Sequence, residues 1–240
     1  MNAITILNQK GGCGKTSLSV LLSLALASTG KKVLAVDCDP QGGLTSFLDP
    51  IEDDTRPGMF EIISGQNKIA EVVAHVNRRG IEVDLVPADY RLDNVAPSMD
   101  PFHLRRLFKT IKGYDYLVFD CPPTVQGISR AAAIVADKIY IPADISAPTL
   151  GPTLYTLSSL ADLEKSGEVI LVGYKEPKKE STGYMAELSR KFTEKINGHY
   201  AGTVPKTITT ARAIADPSIN WTQTKVDKIL KPLIEIVERS

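Results

Sequence analysis

The chain is 240 residues long, 43% hydrophobic and 23% charged, the composition of a folded globular protein with enough apolar material for one α/β domain or two small ones. Basic and acidic residues balance at 28 each, which excludes a chain drawn to nucleic acid by bulk charge, although 13 Lys/Arg against 9 Asp/Glu from residue 165 onward leave the last third positive. Three cysteines without metal-ligand spacing (Cys13, Cys38, Cys121) exclude a disulfide scaffold, and no apolar run is long enough to cross a bilayer, so the expectation is a soluble protein of a reducing cytoplasm.

Residues 3–8, AITILN, read as a short buried strand, and residues 15–30, KTSLSVLLSLALASTG, as a helix stopped by Gly30. Between them lies QKGGCG. The usual phosphate loop is G-x-x-x-x-G-K-[ST]; here Gln9 stands where its first glycine belongs, and K-G-G-x-G-K-T remains. Gly11, Gly12 and Gly14 let the backbone curl with its N–H groups inward, and the helix start adds its positive dipole end. Lys15 is expected on the β- and γ-phosphates and Thr16 on Mg²⁺. Cys13 and Ser17 complete the loop. A glycine-rich turn with no ligand is the bland alternative, and the strand–loop–Lys-Thr–helix context weighs against it. One lysine suffices for a phosphate cradle, so Lys10 needs a separate explanation.

A second apolar run, 32–37, leads into DCDPQGG. Asp37 and Asp39 alternate along an extended segment, so only one faces inward squarely, and two jobs follow. One carboxylate can hold magnesium's water shell; the other can orient or deprotonate an attacking water. Residues 49–58 read as a loop and 59–76, MFEIISGQNKIAEVVAHV, as a helix. Then come strands at 83–88, 114–120, 138–143 and 168–174, with helices near 102–112, 126–137, 151–166 and 182–197 between most of them. Near-continuous apolar strands alternating with helices predict an α/β, doubly wound, mostly parallel sheet with helices on both faces. Ligands in such sheets lie beyond the strands' carboxyl ends. Asn8, Asp37 and Asp120 all fall there. Asp120 is the second acidic element that a Mg²⁺–nucleotide site needs, and Pro122-Pro123 after it form a stiff loop suited to sensing a γ-phosphate. Near the C-terminus, Val226, Ile229, Leu230, Leu233, Ile234 and Val237 make a helical stripe through Pro232. Its mixed polar face, with no Trp or Phe anchor, points to docking on the protein's own core rather than on a membrane. One domain, 1–240, is the simplest account.

NQKGGCGKTS (8–17), VLAVDCDPQGGLTS (33–46) and YDYLVFDCPP (114–123) resemble, in this order and spacing, the ParA/Soj branch of the deviant-Walker P-loop ATPases, whose wider group includes MinD and the nitrogenase iron protein. Weaker matches follow at 138–154 and 203–218. The resemblance implies a short form without a separate N-terminal DNA-reading domain, ATP and Mg²⁺ as ligands, and slow, partner-stimulated hydrolysis. By the same resemblance Lys10 is a signature lysine that crosses a homodimer with ATP sandwiched inside and touches the partner's phosphates. Asp39 becomes the water-activating residue, Asp37 and Asp120 hold magnesium's waters, and Tyr174, Lys175 and Pro205 lie near the adenine. The family further implies a cytoplasmic, nucleoid-associated switch. Its ATP dimer binds DNA non-specifically and positions DNA or a large cargo with a ParB-like or cargo-adaptor activator. Lys178, Lys179, Arg190, Lys191, Lys195, Lys206, Arg212, Lys225, Lys228 and Lys231 are the candidate basic surface. The alternative is a membrane-surface positioning ATPase like MinD. A subunit-bridging iron–sulfur cluster would need further cysteines, and none follows Cys121.

Overall fold

The structure, a computed structural model, describes residues 1–50, 56–172, 183–196, 198–204 and 223–239. Eight strands form one sheet: β1 (Asn2–Ile6), β2 (Val33–Asp37), β3 (Ala74–Arg78), β4 (Ile81–Val86), β5 (Tyr116–Asp120), β6 (Lys138–Ala143), β7 (Glu168–Val172) and β8 (Tyr200–Val204). Their order is β3-β4-β2-β5-β1-β6-β7-β8, parallel everywhere except the β3–β4 pair. From the centre the chain spreads one way through β2 and β4 and the other way through β6, β7 and β8. The reversal lies at β1, where open α/β sheets bind ligands.

Both faces of the sheet are buried, as the unbroken apolar strands require. On β2, Leu34 and Val36 enter one core and Val33 and Ala35 the other. The first core packs against α3 (Met59–Ile63), α5 (His103–Phe108), α6 (Ile128–Val135), α7 (Ala147–Ala161) and α8 (Tyr184–Lys195). The second packs against α1 (Lys15–Ser28), α2 (Gly43–Leu48) and α9 (Gln223–Arg239). α1 is buried on nearly every side because the sheet lies on one flank and α9 on the other. Leu230, Leu233 and Val237 of the C-terminal stripe are buried in this core, as the sequence pattern implies.

Two expectations are corrected. The helix expected over 59–76 is instead α3, a turn at Ser64–Gln66, the single-turn α4 (Ile69–Val72) and then β3. AHVNRRGIEVDLV alternates with a period of two, and Arg79 and Gly80 both take positive φ, 55° and 79°. That is a two-residue primed hairpin turn, and it makes β3 the antiparallel edge. The helix expected from 151 begins four residues earlier, at Ala147, because Pro148 fits a first helical turn, where no N–H partner is needed. β8 was not anticipated: YAGTV carries little strand signal, and its pairing with β7 forms it.

Candidate functional site

The chain leaves β1 at Ile6 and re-enters regular structure at Lys15, so residues 8–14 loop over the sheet's carboxyl edge. Gly14 caps α1 with φ 97°, a left-handed conformation that side chains resist, and no side chain caps the helix. The first N–H groups of a 14-residue helix are thereby left for a ligand anion. The carbonyl of Lys10 is the hub of the loop: Lys15 Nζ donates to it at 3.1 Å and the Cys13 thiol at 3.2 Å. Cys13, Lys15 and Ser17 are buried, Thr16 is half-buried, and Gly11 and Gly12 are exposed.

Asp37 and Asp120 end adjacent strands and face each other in register. Both are fully buried, but their partners differ. Asp37 accepts from Thr45 N at 2.8 Å, Thr45 Oγ1 at 2.7 Å and Asp39 N at 3.1 Å, which ties α2 to the strand end. Asp120 Oδ1 accepts from Ser19 Oγ at 2.9 Å, while Oδ2 has no hydrogen-bond partner. Burial, with Asp37 beside it, pushes Asp120 up to about 8, against the opposing pull of the Thr16 and Ser19 hydroxyls. Burial pushes Asp37 up to about 6, against its bonds to Thr45 and Asp39. A buried carboxylate oxygen with nothing to bond, beside a threonine hydroxyl at a phosphate loop, fits a magnesium ion held through water. No cluster of three metal-ligating side chains exists among the described residues, and none is needed where phosphates and waters complete the coordination.

Asp39 is different. It is half-buried, accepts from Gln41 N at 3.0 Å, and lines a cleft of about 610 Å³ with Gln9, Pro122, Pro123, Val125 and Tyr155. The two carboxylates of DCD divide because β2 ends at Asp37 and Asp39 lies beyond it, not through alternation, since residues two apart on a strand share a face: Asp37 is inward and saturated, and Asp39 is at the rim. All three thiols are pushed up by burial, so they are packed neutral groups rather than reactive ones.

Lys10 Nζ donates to Asp144 Oδ1 at 3.3 Å and to Thr149 Oγ1 within its own chain. Asn8 donates to Pro142 O at 3.0 Å and to Thr153 Oγ1 at 3.3 Å, and its Oδ1 accepts from Lys10 N at 3.1 Å and from Thr156 Oγ1 at 3.4 Å. Thr149, Thr153 and Thr156 are fully buried on one face of α7. Sequence reasoning missed Asp144 and these threonines. The signal was present as T-x-x-x-T-x-x-T, helical spacing of polar groups in an otherwise apolar segment. Tyr174, Lys175 and Pro205 lie outside the described residues, as do Lys178, Lys179, Lys206, Arg212 and the side chain of Lys225. Of the described basic candidates, Lys191 pairs with Glu187 at 2.6 Å, and Lys195, Lys228 and Lys231 are exposed.

The profile of the AAA_31 family, an AAA domain, matches residues 1–164, which covers the loop, both acidic strand ends and α7. The chain belongs to this family, within the ParA/MinD superfamily. Among curated relatives of this ParA/MinD-type chain is the sporulation initiation inhibitor protein Soj of Bacillus subtilis, 34% identical over 145 residues. That match covers 58% of this chain and 56% of Soj, so the chain spans just over half of that relative's length. The maintenance of carboxysome distribution protein A of Gloeothece citriformis is 32% identical over 176 residues, covering 70% of this chain and 66% of the relative. Among solved structures, a plasmid partition protein from Borrelia burgdorferi bound to AMPPNP superposes with a TM-score of 0.81 at 21% identity. It covers 99% of this chain and 98% of that one. A complex of Cyanothece McdA with ATP superposes with a TM-score of 0.83 at 24% identity, covering 99% and 95%. These superpositions show the fold: the superfamily's eight-stranded, mostly parallel sheet with helices on both faces.

Proposed function

We propose that this chain is an ATP-dependent dimerising switch ATPase of the ParA type that positions DNA or a large cargo. The observation that carries the reading is a phosphate loop with two lysines set beside one saturated and one unsatisfied buried aspartate. That the strands form one sheet supports treating residues 1–240 as a single nucleotide-binding unit.

In this reading the N–H groups of residues 11–16 and the Lys15 amine bind the triphosphate, with Lys15 leaving the Lys10 carbonyl to do so. Thr16 and Asp120, with Asp37 behind them, would hold magnesium and its waters, and the bound ion would supply neutralisation of the negative charge on the triphosphate. Asp39, at the rim, orients a water in line with the γ-phosphorus. The water's oxygen bonds to phosphorus as its proton passes to the Asp39 carboxylate, the bond to the bridging oxygen breaks, and ADP carries that electron pair away. Much of this chemistry is positioning, so a partner that improves the geometry accelerates it. Lys10 reaches the triphosphate of a second copy. Triphosphate leaves excess negative charge on one protomer, a lysine from each subunit offsets it only when two meet, and hydrolysis withdraws the reason to stay together.

Relatives named for chromosome partitioning and carboxysome distribution support a cargo role. Non-specific DNA as the track, and a ParB-like or cargo-adaptor activator, complete the proposal; the exposed lysines of α8 and α9 are its candidate DNA contacts. The burial of α9's apolar stripe against α1 favours this over the membrane-surface alternative. Among the described residues no helix is long and apolar enough to cross a membrane. DNA binding measured with ATP, ADP and no nucleotide at two salt concentrations tests the reading. Binding that is ATP-dependent, salt-sensitive and indifferent to sequence is expected; ATP-dependent capture by anionic liposomes without DNA binding overturns it. Asp39→Ala is expected to retain the ATP-bound dimer and lose turnover, and normal turnover would reject Asp39's role.

A further inference from the structure

The signature lysine is not loose in solvent. Its amine is engaged by Asp144 Oδ1 and Thr149 Oγ1, while Ser146 Oγ lies 3.2 Å from the same carboxylate oxygen and 2.8 Å from the same threonine oxygen. Thr149 also donates to Asp144, so carboxylate, two hydroxyls and ammonium form one closed cluster at the start of α7. Thr149 has no exposed surface, and its helix is fastened to the loop again one and two turns further on, through Thr153 and Thr156 to Asn8. The anchor is therefore a rigid element, and only the lysine is free to leave. Burial opposes charge on Asp144, yet its bonds to Thr149, Lys10 and Ser146 prevail and keep the carboxylate below its usual range.

We propose that Asp144, supported by Thr149, is the positioning residue of Lys10: it holds the amine against its own chain in the monomer and sets the threshold at which nucleotide drives dimerisation. This rests on the reading that Lys10 crosses to the partner's phosphates. An ammonium committed to a carboxylate on its own chain must give up that bond before it serves a phosphate on another. The hold is weak enough to break, because the side chains of Lys10 and Asp144 are 24% and 51% exposed, and such pairs shift an equilibrium by less than about tenfold. Closing a dimer releases two of them, so the effect on the dimer constant squares. About threefold per subunit becomes roughly tenfold for the dimer.

The test is sedimentation of the whole chain with Mg²⁺ and a non-hydrolysable ATP analogue, for wild type, Asp144→Asn, Thr149→Val, Thr149→Ser and Lys10→Ala. Asp144→Asn is expected to tighten the dimer about tenfold. Thr149→Val should shift it the same way, and Thr149→Ser, which keeps the hydroxyl, should restore the wild-type constant. The double variant Lys10→Ala/Asp144→Asn should match Lys10→Ala, because the carboxylate acts only through the lysine. In nucleotide-free protein, the Lys10 side-chain amine resonance is expected to move in Asp144→Asn, a readout that needs neither nucleotide nor activity. If Lys10→Ala fails to dimerise while Asp144→Asn, folded by circular dichroism, dimerises as wild type or more weakly, the holding role is overturned and the cross-subunit reading survives. If Lys10→Ala dimerises normally, both fall.

Discussion

Asp120 sits at the end of β5 with no exposed surface, one oxygen bonded to Ser19 and the other to nothing. Burial and the neighbouring Asp37 penalise its charged form, and its folded value stands near 8 against an ordinary carboxylate value near 4. The sign follows directly. Below about pH 4 the group is protonated in folded and unfolded chains alike and costs nothing. As pH rises toward 8 the unfolded chain ionises freely while the folded chain is held protonated, so stability falls across that window. Asp120→Asn is therefore expected to raise the unfolding midpoint of nucleotide- and magnesium-free protein at pH 8 by several degrees, and to change it little at pH 4.5. The same variant should lose the additional stabilisation that wild type gains from magnesium with ATP. Thermal melts at the two pH values, with and without ligand, check both halves. An aspartate whose removal stabilises the empty protein and weakens the loaded one is kept for binding rather than folding.

At the scale of elements, α7 and the loop before α6 hold the site's edges. Asn8 depends on the threonine face of α7: Thr153→Val removes one of its partners and should cost about 1 kcal/mol in urea unfolding. Gly127, which leads from the Pro122-Pro123 loop into α6, is a stricter requirement. A Cβ there would stand 2.2 Å from the carbonyl oxygen of Ala96, and its φ of 54° with ψ of −125° already disfavours a side chain. Gly127→Ala is expected to lower stability by about 2–4 kcal/mol, read as a shift in urea midpoint at unchanged slope. Because residues 96–97 and 122–128 line the cleft that Asp39 enters, the loss should extend to turnover. The hairpin of β3 and β4 teaches a related point. Its period-two alternation was visible in AHVNRRGIEVDLV, but apolar residues at 59–63 and 69–73 also satisfy a helical period. The turn at Arg79-Gly80 and pairing with β4 decide between them.

At the scale of the molecule, the sheet is clad on one face by α1 with α9 behind it. Leu230 and Leu233 are 2% and 1% exposed there, so Leu233→Ala should cost about 2–4 kcal/mol in chemical denaturation. That α9 folds onto the body rather than projecting from it was legible in its mixed polar face. So were the parallel sheet, from its two-sided apolar strands, and the loop, Asp37, Asp39 and Asp120, from residue types at strand ends. These features depend on neighbours in the chain: a period, a glycine spacing, a carboxylate that closes a strand. What tertiary structure alone decided is which groups meet across distance. Lys10 and Asp144 are 134 residues apart in the chain and come together only because β6 lies beside β1 and delivers the start of α7 to the loop. Asp37 and Asp120, 83 positions apart, acquire opposite hydrogen-bonding fates only once β2 and β5 align and Thr45 turns back onto one of them. Local pattern determined most of the elements and the chemistry they carry, whereas pairing decided β3 and β8, and strand order and burial decided which charges are satisfied and which are held ready.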